Sequence, residues 1–375
     1  MLDAEFESFH DVVVVGGGAA GVGVAIALMH AGVEDFVVLE RHQIGASFSA
    51  WPEQTQFITP SFPTNSIGML DLNAVAIGVS PGHFLATEHP TGDEYATHLR
   101  AVAEYFQLPV REGIDVTRIT RTDDGFRIET PNTTFRAGQV VWAAGEFQYP
   151  KIMAFEGSEL CRHTATIGSY DDLEGDDFVV IGGYESGVDA AYHLAFRDKT
   201  VRMFDRGAPW EDPSSDPSVA LSLFSFERMR EDWFQEQVEL HPFKPITSVR
   251  LEEGVFQIEA EDGSCFYSHT QPLWAGGFEG SHTLVSNLFE LRPDGWPQLN
   301  EHDESTLAPG LFLCGPSVRH DNHVFCFIYK YRQRFAVVAK AVASSLGLAA
   351  EGLEVYRSWG MYLDDLSICG EDCLC

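Results

Sequence analysis

Val12-Val13-Val14-Val15-Gly16-Gly17-Gly18-Ala19-Ala20-Gly21 is the stretch whose reading decides the fold. Four consecutive β-branched residues predict a buried strand. Gly16, Gly18 and Gly21 then satisfy G-x-G-x-x-G where strand passes into helix. The first glycine permits the tight turn, the second lets backbone approach a pyrophosphate, and the third lets the helix lie close to the strand. Val22 to His30 is apolar around nearly its whole circumference and predicts a well-buried helix. Phe36-Val37-Val38-Leu39 predicts the next strand. Glu40 ends it, roughly twenty residues past the last glycine, where a carboxylate accepts from a ribose 2′-hydroxyl. Strand, glycine turn, helix, strand and acid in this order point to a dinucleotide site.

The pattern restarts further along. Phe178-Val179-Val180-Ile181 predicts a second buried strand, followed by the turn Gly182-Gly183-Tyr184-Glu185-Ser186-Gly187. A helix from Val188 to Phe196 and a strand Val201-Arg202-Met203-Phe204, closed by Asp205, complete the repeat. Tyr184 stands where the middle glycine is expected. Between the two units, Thr91-Gly92-Asp93-Glu94 reads as a capping box opening a helix to about Gln107. Thr122-Asp123-Asp124-Gly125 reads as a hairpin turn, and Gln139 to Gly145 as a strand ending in Ala-Ala-Gly. After the second unit come an acidic, Pro-rich linker (Pro209 to Pro217) and a hairpin region (Ile246 to Tyr267) that closes at Trp274-Ala275-Gly276-Gly277. Leu311 to Pro316 predicts a strand and turn that return to the first unit, with a helix from about Val324 to Leu346. The fold class is therefore α/β with two Rossmann-like dinucleotide-binding domains, the second inserted into the first. The expected boundaries are 1–172, 173–284 and 285–350, with a Cys-rich tail over 351–375.

The chain has 375 residues, enough for two or three cores, and 45% of them are hydrophobic. No apolar run reaches the ~18 residues that would span a bilayer. The acidic start Met1 to Phe6 lacks the basic and apolar regions of a secretion signal, which predicts a cytoplasmic protein. Fifty-six acids against 24 basic residues give a formal net charge of −32, which repels nucleic acid and anionic membranes. So few Lys beside so many acids would suit a high-salt interior, where screening removes the self-repulsion. Of the seven Cys, Cys161, Cys265, Cys314 and Cys326 are scattered singly, while Cys369, Cys373 and Cys375 crowd the end. A disulfide framework is not expected in a cytosolic protein of this size.

Two nucleotide units, the second set within the first, resemble the two-dinucleotide-binding flavoproteins: thioredoxin-reductase-like enzymes, bacillithiol-disulfide reductases and flavin-containing monooxygenases. The resemblance runs from about Asp11 to Leu348 and implies that the first unit binds FAD and the second NADH or NADPH. By position it assigns Gly16, Gly18, Ala19, Ala20, Gly21, Glu40 and Arg41 to the ADP half of FAD, and Gly45, Ala46, Ser47 and Gly145 to the approach to the flavin. Gly182, Gly183, Ser186, Gly187, Asp205 and Arg206 fall to the nicotinamide cofactor. Asp205 favours a 2′-hydroxyl and hence NADH, whereas Arg206 could meet a 2′-phosphate. Tyr331-Arg332-Gln333 looks like the Tyr-Arg-Gln of thioredoxin reductases and places Arg332 and Gln333 near the flavin. The family's Gly-Asp is Gly315-Pro316 here, so Asp321 is left as a substitute carboxylate. The long segment up to Pro90, rich in Pro, Ser, Thr and aromatics, is a candidate flavin or substrate wall.

Three chemistries then compete. Disulfide reduction, of a small molecule or a protein, lacks the usual Cys-x-x-Cys in the second unit. The terminal Cys369, Cys373 and Cys375 could replace it as a dithiol arm, although Glu371 and Asp372 would raise their thiol pKa values. Cys326, expected at the start of the last helix where the dipole favours thiolate, is a candidate flavin-proximal thiol, against a reading as a small buried residue. A small disulfide could also be reduced directly at the flavin. Monooxygenation is suggested by Phe155-Glu156-Gly157 and His163, but five residues rather than three separate Gly157 from His163. The terminal cysteines could instead bind a soft metal or join two chains as a homodimer. His320 or His323, in Arg319-His320-Asp321-Asn322-His323, could supply a general acid near the flavin.

Overall fold

The computed structural model describes residues 6–63, 70–214 and 216–368. In the first unit β1 (Phe6–Val15) is flanked by β2 (Phe36–Leu39) and β6 (Thr134–Trp142), both parallel to it, with α1 (Ala19–His30) in the crossover. Val12 pairs with Phe36 and Val15 with Leu39, and all four valines of β1 are buried, as a strand covered on both faces requires. After α2 (Ala46–Ser49) and α3 (Pro81–Leu85) comes α4 (Gly92–Tyr105). Its capping box is formed: Glu94 N–H donates to the Thr91 hydroxyl while the Glu94 carboxylate accepts from Thr91 N–H. β3 (Val110–Arg111) extends the parallel sheet beyond β2, and β4 (Arg118–Thr122) and β5 (Gly125–Glu129) form an antiparallel hairpin against β6.

The second unit repeats this plan. β8 (Asp177–Ile181), α5 (Glu185–Ala195) and β9 (Thr200–Phe204) form its βαβ core, followed by α6 (Leu223–Met229), α7 (Asp232–Gln237) and β10 (Val238–His241). A three-stranded antiparallel sheet, β11 (Ile246–Glu252), β12 (Val255–Ala260) and β13 (Cys265–Ser268), precedes β14 (Leu273–Trp274). The order β10-β9-β8-β14 reproduces β3-β2-β1-β6 of the first sheet. One strand falls outside the expected boundary at 172: β7 (Arg162–His163) pairs with β14 and joins the second sheet.

The chain then returns. β15 (Leu311–Leu313) runs parallel to β6, pairing Leu311 with Val140, and this closes the first sheet. A short hairpin, β16 (Arg319–His320) and β17 (His323–Val324), leads into a long helical segment. Where the sequence predicts one helix, the structure has α8 (Ile328–Tyr331), a 3₁₀ turn over Arg332–Arg334 and α9 (Phe335–Ser345). Side-chain demands explain the tightened turn. The Arg332 guanidinium donates to the carbonyls of Asp71 and Ala74, and buried Arg334 pairs with fully buried Asp303 at 2.7 Å. α9 packs on α1, where Phe335 fills the space that a Cβ on Gly23 would take. No helix among the described residues is long and apolar enough to cross a membrane.

Candidate functional site

Both glycine turns have the same backbone. Gly16 and Gly182 sit at φ 108° and 103°, open to glycine and strained for other residues. A Cβ on Gly21 would run into the Gly16 carbonyl, and one on Gly187 into the Gly182 carbonyl, so these glycines set how closely helix and strand pack. The middle positions, Gly18 (φ −82°, ψ −169°) and Tyr184 (φ −83°, ψ −168°), are extended and need no glycine for conformation. What differs is bulk. A Cβ on Gly18 would meet nothing within 4 Å, whereas Tyr184 projects a ring whose hydroxyl donates to Val219 O at 2.7 Å.

A cleft of about 380 Å³ opens over the first turn and runs to the second unit. Gly16, Gly18, Ala19, Ala20, Glu40 and Arg41 line one end, and Ala46, Ser47 and Gly145 the stretch beyond. No side chain caps the amino end of α1, so its first-turn amides are free to meet an anion. The Glu40 carboxylate, 6% exposed, is fixed by Gly17 N–H at 2.6 Å and His42 N–H at 2.8 Å. An uncapped helix end, an open glycine and a held carboxylate fit the pyrophosphate and ribose of FAD. The second turn offers the same donor set. α5 has no side-chain cap, and Asp205 accepts from Gly183 N–H and Gly207 N–H, both at 2.7 Å. Of this turn only Glu185 and Ser186 reach the cleft.

The far end of the cleft is shared by the two units. Asp189 lies one turn beyond Ser186 on α5 and is held from several sides: the Thr55 hydroxyl donates at 2.6 Å, Arg228 Nη1 at 2.7 Å and the Tyr170 hydroxyl at 3.4 Å. Burial works against the Asp189 charge, yet His193, Arg228 and Thr55 outweigh it and hold the carboxyl below its usual range. Arg228 also donates to Gln56 at 2.9 Å and lies over the rings of Phe224 and Tyr192. Glu146 follows Gly145 directly and faces the same cleft; burial pushes its carboxyl up, with Arg319 pulling the other way. Sequence reasoning missed these residues. The available signals were the Ser186–Asp189 spacing of one helical turn and an acid right after the Ala-Ala-Gly strand end.

Several expected site residues stand elsewhere. Gly315 (φ 110°) packs against Ala20 and leaves its neighbour Pro316 to line the cleft. Arg332 is spent on the Asp71 and Ala74 carbonyls, and burial pushes its guanidinium down to about 10. Gln333 donates to Tyr329 O and accepts from Leu363 N–H; of that trio only Tyr331 lines the cleft. Asp321 is at the β16–β17 turn with its carbonyl bound to Arg292, away from the cleft. His320 Nε2 donates to the Asp303 carboxylate at 2.5 Å in the buried Arg334 pair, and neither it nor His323 lines the cleft, so neither is a general acid there. His163 is buried, with Nε2 3.1 Å from Gly277 O and Nδ1 accepting from Ala165 N–H. Cys326 does line the cleft, 3.1 Å from the Ser218 hydroxyl, but α8 after it is a single turn. Burial pushes its thiol up, and Ser218, Lys330 and Arg319 only partly oppose this, which favours the reading of Cys326 as a small buried residue over that of a flavin-proximal thiolate. Cys369, Cys373 and Cys375 lie outside the described residues. Among the described residues no cluster of His, Cys, Asp and Glu could hold a metal ion.

The family model for pyridine nucleotide-disulphide oxidoreductases matches residues 13–315. The chain is 26% identical over 334 residues to bacilliredoxin reductase Bdr of Bacillus subtilis, covering 88% of this chain and 97% of that protein. It is 27% identical over 197 residues to an uncharacterized CzcO-like oxidoreductase of Geobacillus kaustophilus, 52% of this chain and 53% of that one. The chain thus spans about half the length of such curated relatives. Among solved structures, bacillithiol disulfide reductase Bdr of Staphylococcus aureus superposes with a TM-score of 0.73 at 18% identity over 90% of this chain and 99% of that one. A flavin-containing monooxygenase of Stenotrophomonas maltophilia gives 0.68 at 16% identity, over 90% and 99%.

Proposed function

We propose, from the premise that the chain belongs to the pyridine nucleotide-disulphide oxidoreductase family, that it is an FAD-dependent oxidoreductase passing electrons from NAD(P)H to a disulfide. FAD and NAD(P)H are the cofactors of this two-unit architecture. The observation that carries the reading is the shared cleft: the first glycine turn lies at one end and the Glu185–Asp189 face of α5 at the other. When bound there, FAD relays two electrons, so that NAD(P)H, a proton and a disulfide yield NAD(P)⁺ and two thiols.

The chain's own contribution is positional. The α1 amides and Glu40 hold the ADP half, and the Asp189–Arg228–Thr55–Gln56 network keeps the second unit against the first. Burial raises the Glu146 carboxyl pKa beside the cleft, against the pull of Arg319, which favours its use as the proton donor to a leaving sulfur. Among the described residues Cys326 is the one cysteine at the cleft, which supports direct reduction of a small disulfide at the flavin or relay through the terminal cysteines. The named substrate of the Staphylococcus aureus neighbour, bacillithiol disulfide, is the first to try.

The purified protein should be yellow and bleach with NADH or NADPH under anaerobic conditions. Colourless protein with no affinity for FAD would end the reading. Addition of bacillithiol disulfide should restore the colour and release two thiols per nucleotide oxidised. A variant ending before Cys369 separates the routes: lost turnover assigns the terminal cysteines, and full turnover assigns direct reduction. Nucleotide oxidation coupled to oxygen insertion instead would make the protein a monooxygenase.

A further inference from the structure

We propose that the second nucleotide site selects a dinucleotide whose adenosine ribose carries a free 2′-hydroxyl, so that NADH rather than NADPH is the electron donor. The proposal rests on the second unit being the nicotinamide site. Its basis is an internal comparison. Glu40 and Asp205 close equivalent strands, and each is almost fully buried, at 6% and 7% exposure. Each uses one carboxylate oxygen for the second residue of its glycine turn (Gly17 at 2.6 Å, Gly183 at 2.7 Å). Each uses the other for the N–H two residues beyond itself (His42 at 2.8 Å, Gly207 at 2.7 Å). FAD has no 2′-phosphate, and the carboxylate device that suits its ribose is repeated at Asp205. A 2′-hydroxyl donates to such a carboxylate, whereas a phosphate would set two anions side by side.

Asp205 cannot swing away, because two backbone amides hold it. The segment that follows Asp205 is also predominantly acidic in sequence. From Asp205 to Pro217 the sequence carries Asp205, Glu211, Asp212 and Asp216 against the single cation Arg206, which is exposed. Lys244 donates its backbone N–H to the Asp205 carbonyl but sends its ammonium to Asp262 and Ser264. On the turn itself, the Trp210 ring occupies the space that a Cβ on Gly183 would take, which narrows the room beside the ribose edge.

The test is calorimetric titration of the purified flavoprotein with ADP-ribose and with 2′-phospho-ADP-ribose, which report the adenosine half without any electron transfer. ADP-ribose should bind at least about tenfold more tightly, the direction set by repulsion between like charges near a protein surface. Equal or tighter binding of the phosphorylated form would overturn the proposal. Asp205→Ser should bring the two affinities together; a tenfold preference surviving in a folded variant would also overturn it. Should that variant not fold, the wild-type pair still decides. Failure of the underlying reading looks different: neither ligand binds, and neither NADH nor NADPH bleaches the flavin.

Discussion

Two single residues carry consequences that can be measured directly. Glu146 faces the cleft with its carboxyl pushed up by burial. If it donates the proton that a departing thiolate needs, turnover should fall as pH rises through its pKa. Glu146→Gln should then lower kcat with bacillithiol disulfide by about 10²-fold, at the lower end of what positioned acids supply, and abolish that fall. A pH–rate profile of both proteins checks this; an unchanged profile would remove Glu146 from the chemistry. His98 on α4 has no hydrogen-bond partner at either ring nitrogen and packs against Phe84 and Tyr95. Burial pushes its pKa down to about 4, with Asp71 opposing slightly. The folded state therefore takes up this proton later than the unfolded chain does. Stability is complete above pH ~6.5 and declines as pH falls toward 4, by about 3 kcal/mol for this one group. Urea unfolding of wild type and His98→Phe between pH 4 and 7 should show the steeper loss in wild type. Parallel slopes would count against a neutral, desolvated His98.

At the scale of elements, the join between the two units rests on α5, α6 and the segment before α3. Asp189 and Arg228, at 14% and 8% side-chain exposure, form an ion pair whose other hydrogen bonds reach across to Thr55 and Gln56. Truncating either partner leaves a charge buried without its counterion, which typically costs about 3–5 kcal/mol. Asp189→Leu and Arg228→Met should each destabilise by that order, and the double variant by clearly less than the sum. A double-mutant cycle by urea unfolding measures the coupling, and additive effects would mean that the network is not one unit. This join was invisible to sequence reasoning because it depends on which loops a folded inter-unit cleft brings together. The elements themselves were legible: the valine run of β1, the Thr91–Glu94 capping box and the repeated strand–turn–helix at Gly182 each follow a local rule. The misread helix at 324–346 shows where local rules stop. Its periodicity is helical, but Arg332 and Arg334 must reach buried acceptors on other segments, and the backbone tightens to let them. Gln333 was misplaced for a related reason, since a matching tripeptide says nothing about which way its side chains turn.

For the whole molecule the dominant quantity is the charge of −32. Ion pairs such as Arg197–Asp171, Lys199–Asp176 and Arg357–Asp364 sit at the surface and neutralise individual acids. Even if every one of the 24 Lys and Arg took one acid, 32 carboxylates would remain uncompensated. Their mutual repulsion acts on the compact state more than on the expanded chain, where the same charges are further apart. Added salt shortens the range of that repulsion, from about 10 Å at 0.1 M to about 3 Å at 1 M, while close or buried pairs such as Asp303–Arg334 and Asp189–Arg228 are screened far less. The cohesive ionic contacts inside should therefore survive conditions that relieve the surface. The melting temperature should rise by several degrees between 0.05 M and 1 M NaCl, and choline chloride should act alike if screening rather than specific sodium binding is responsible. A melting temperature that stays flat or falls with salt would show that the excess acids are spaced widely enough to be indifferent to one another.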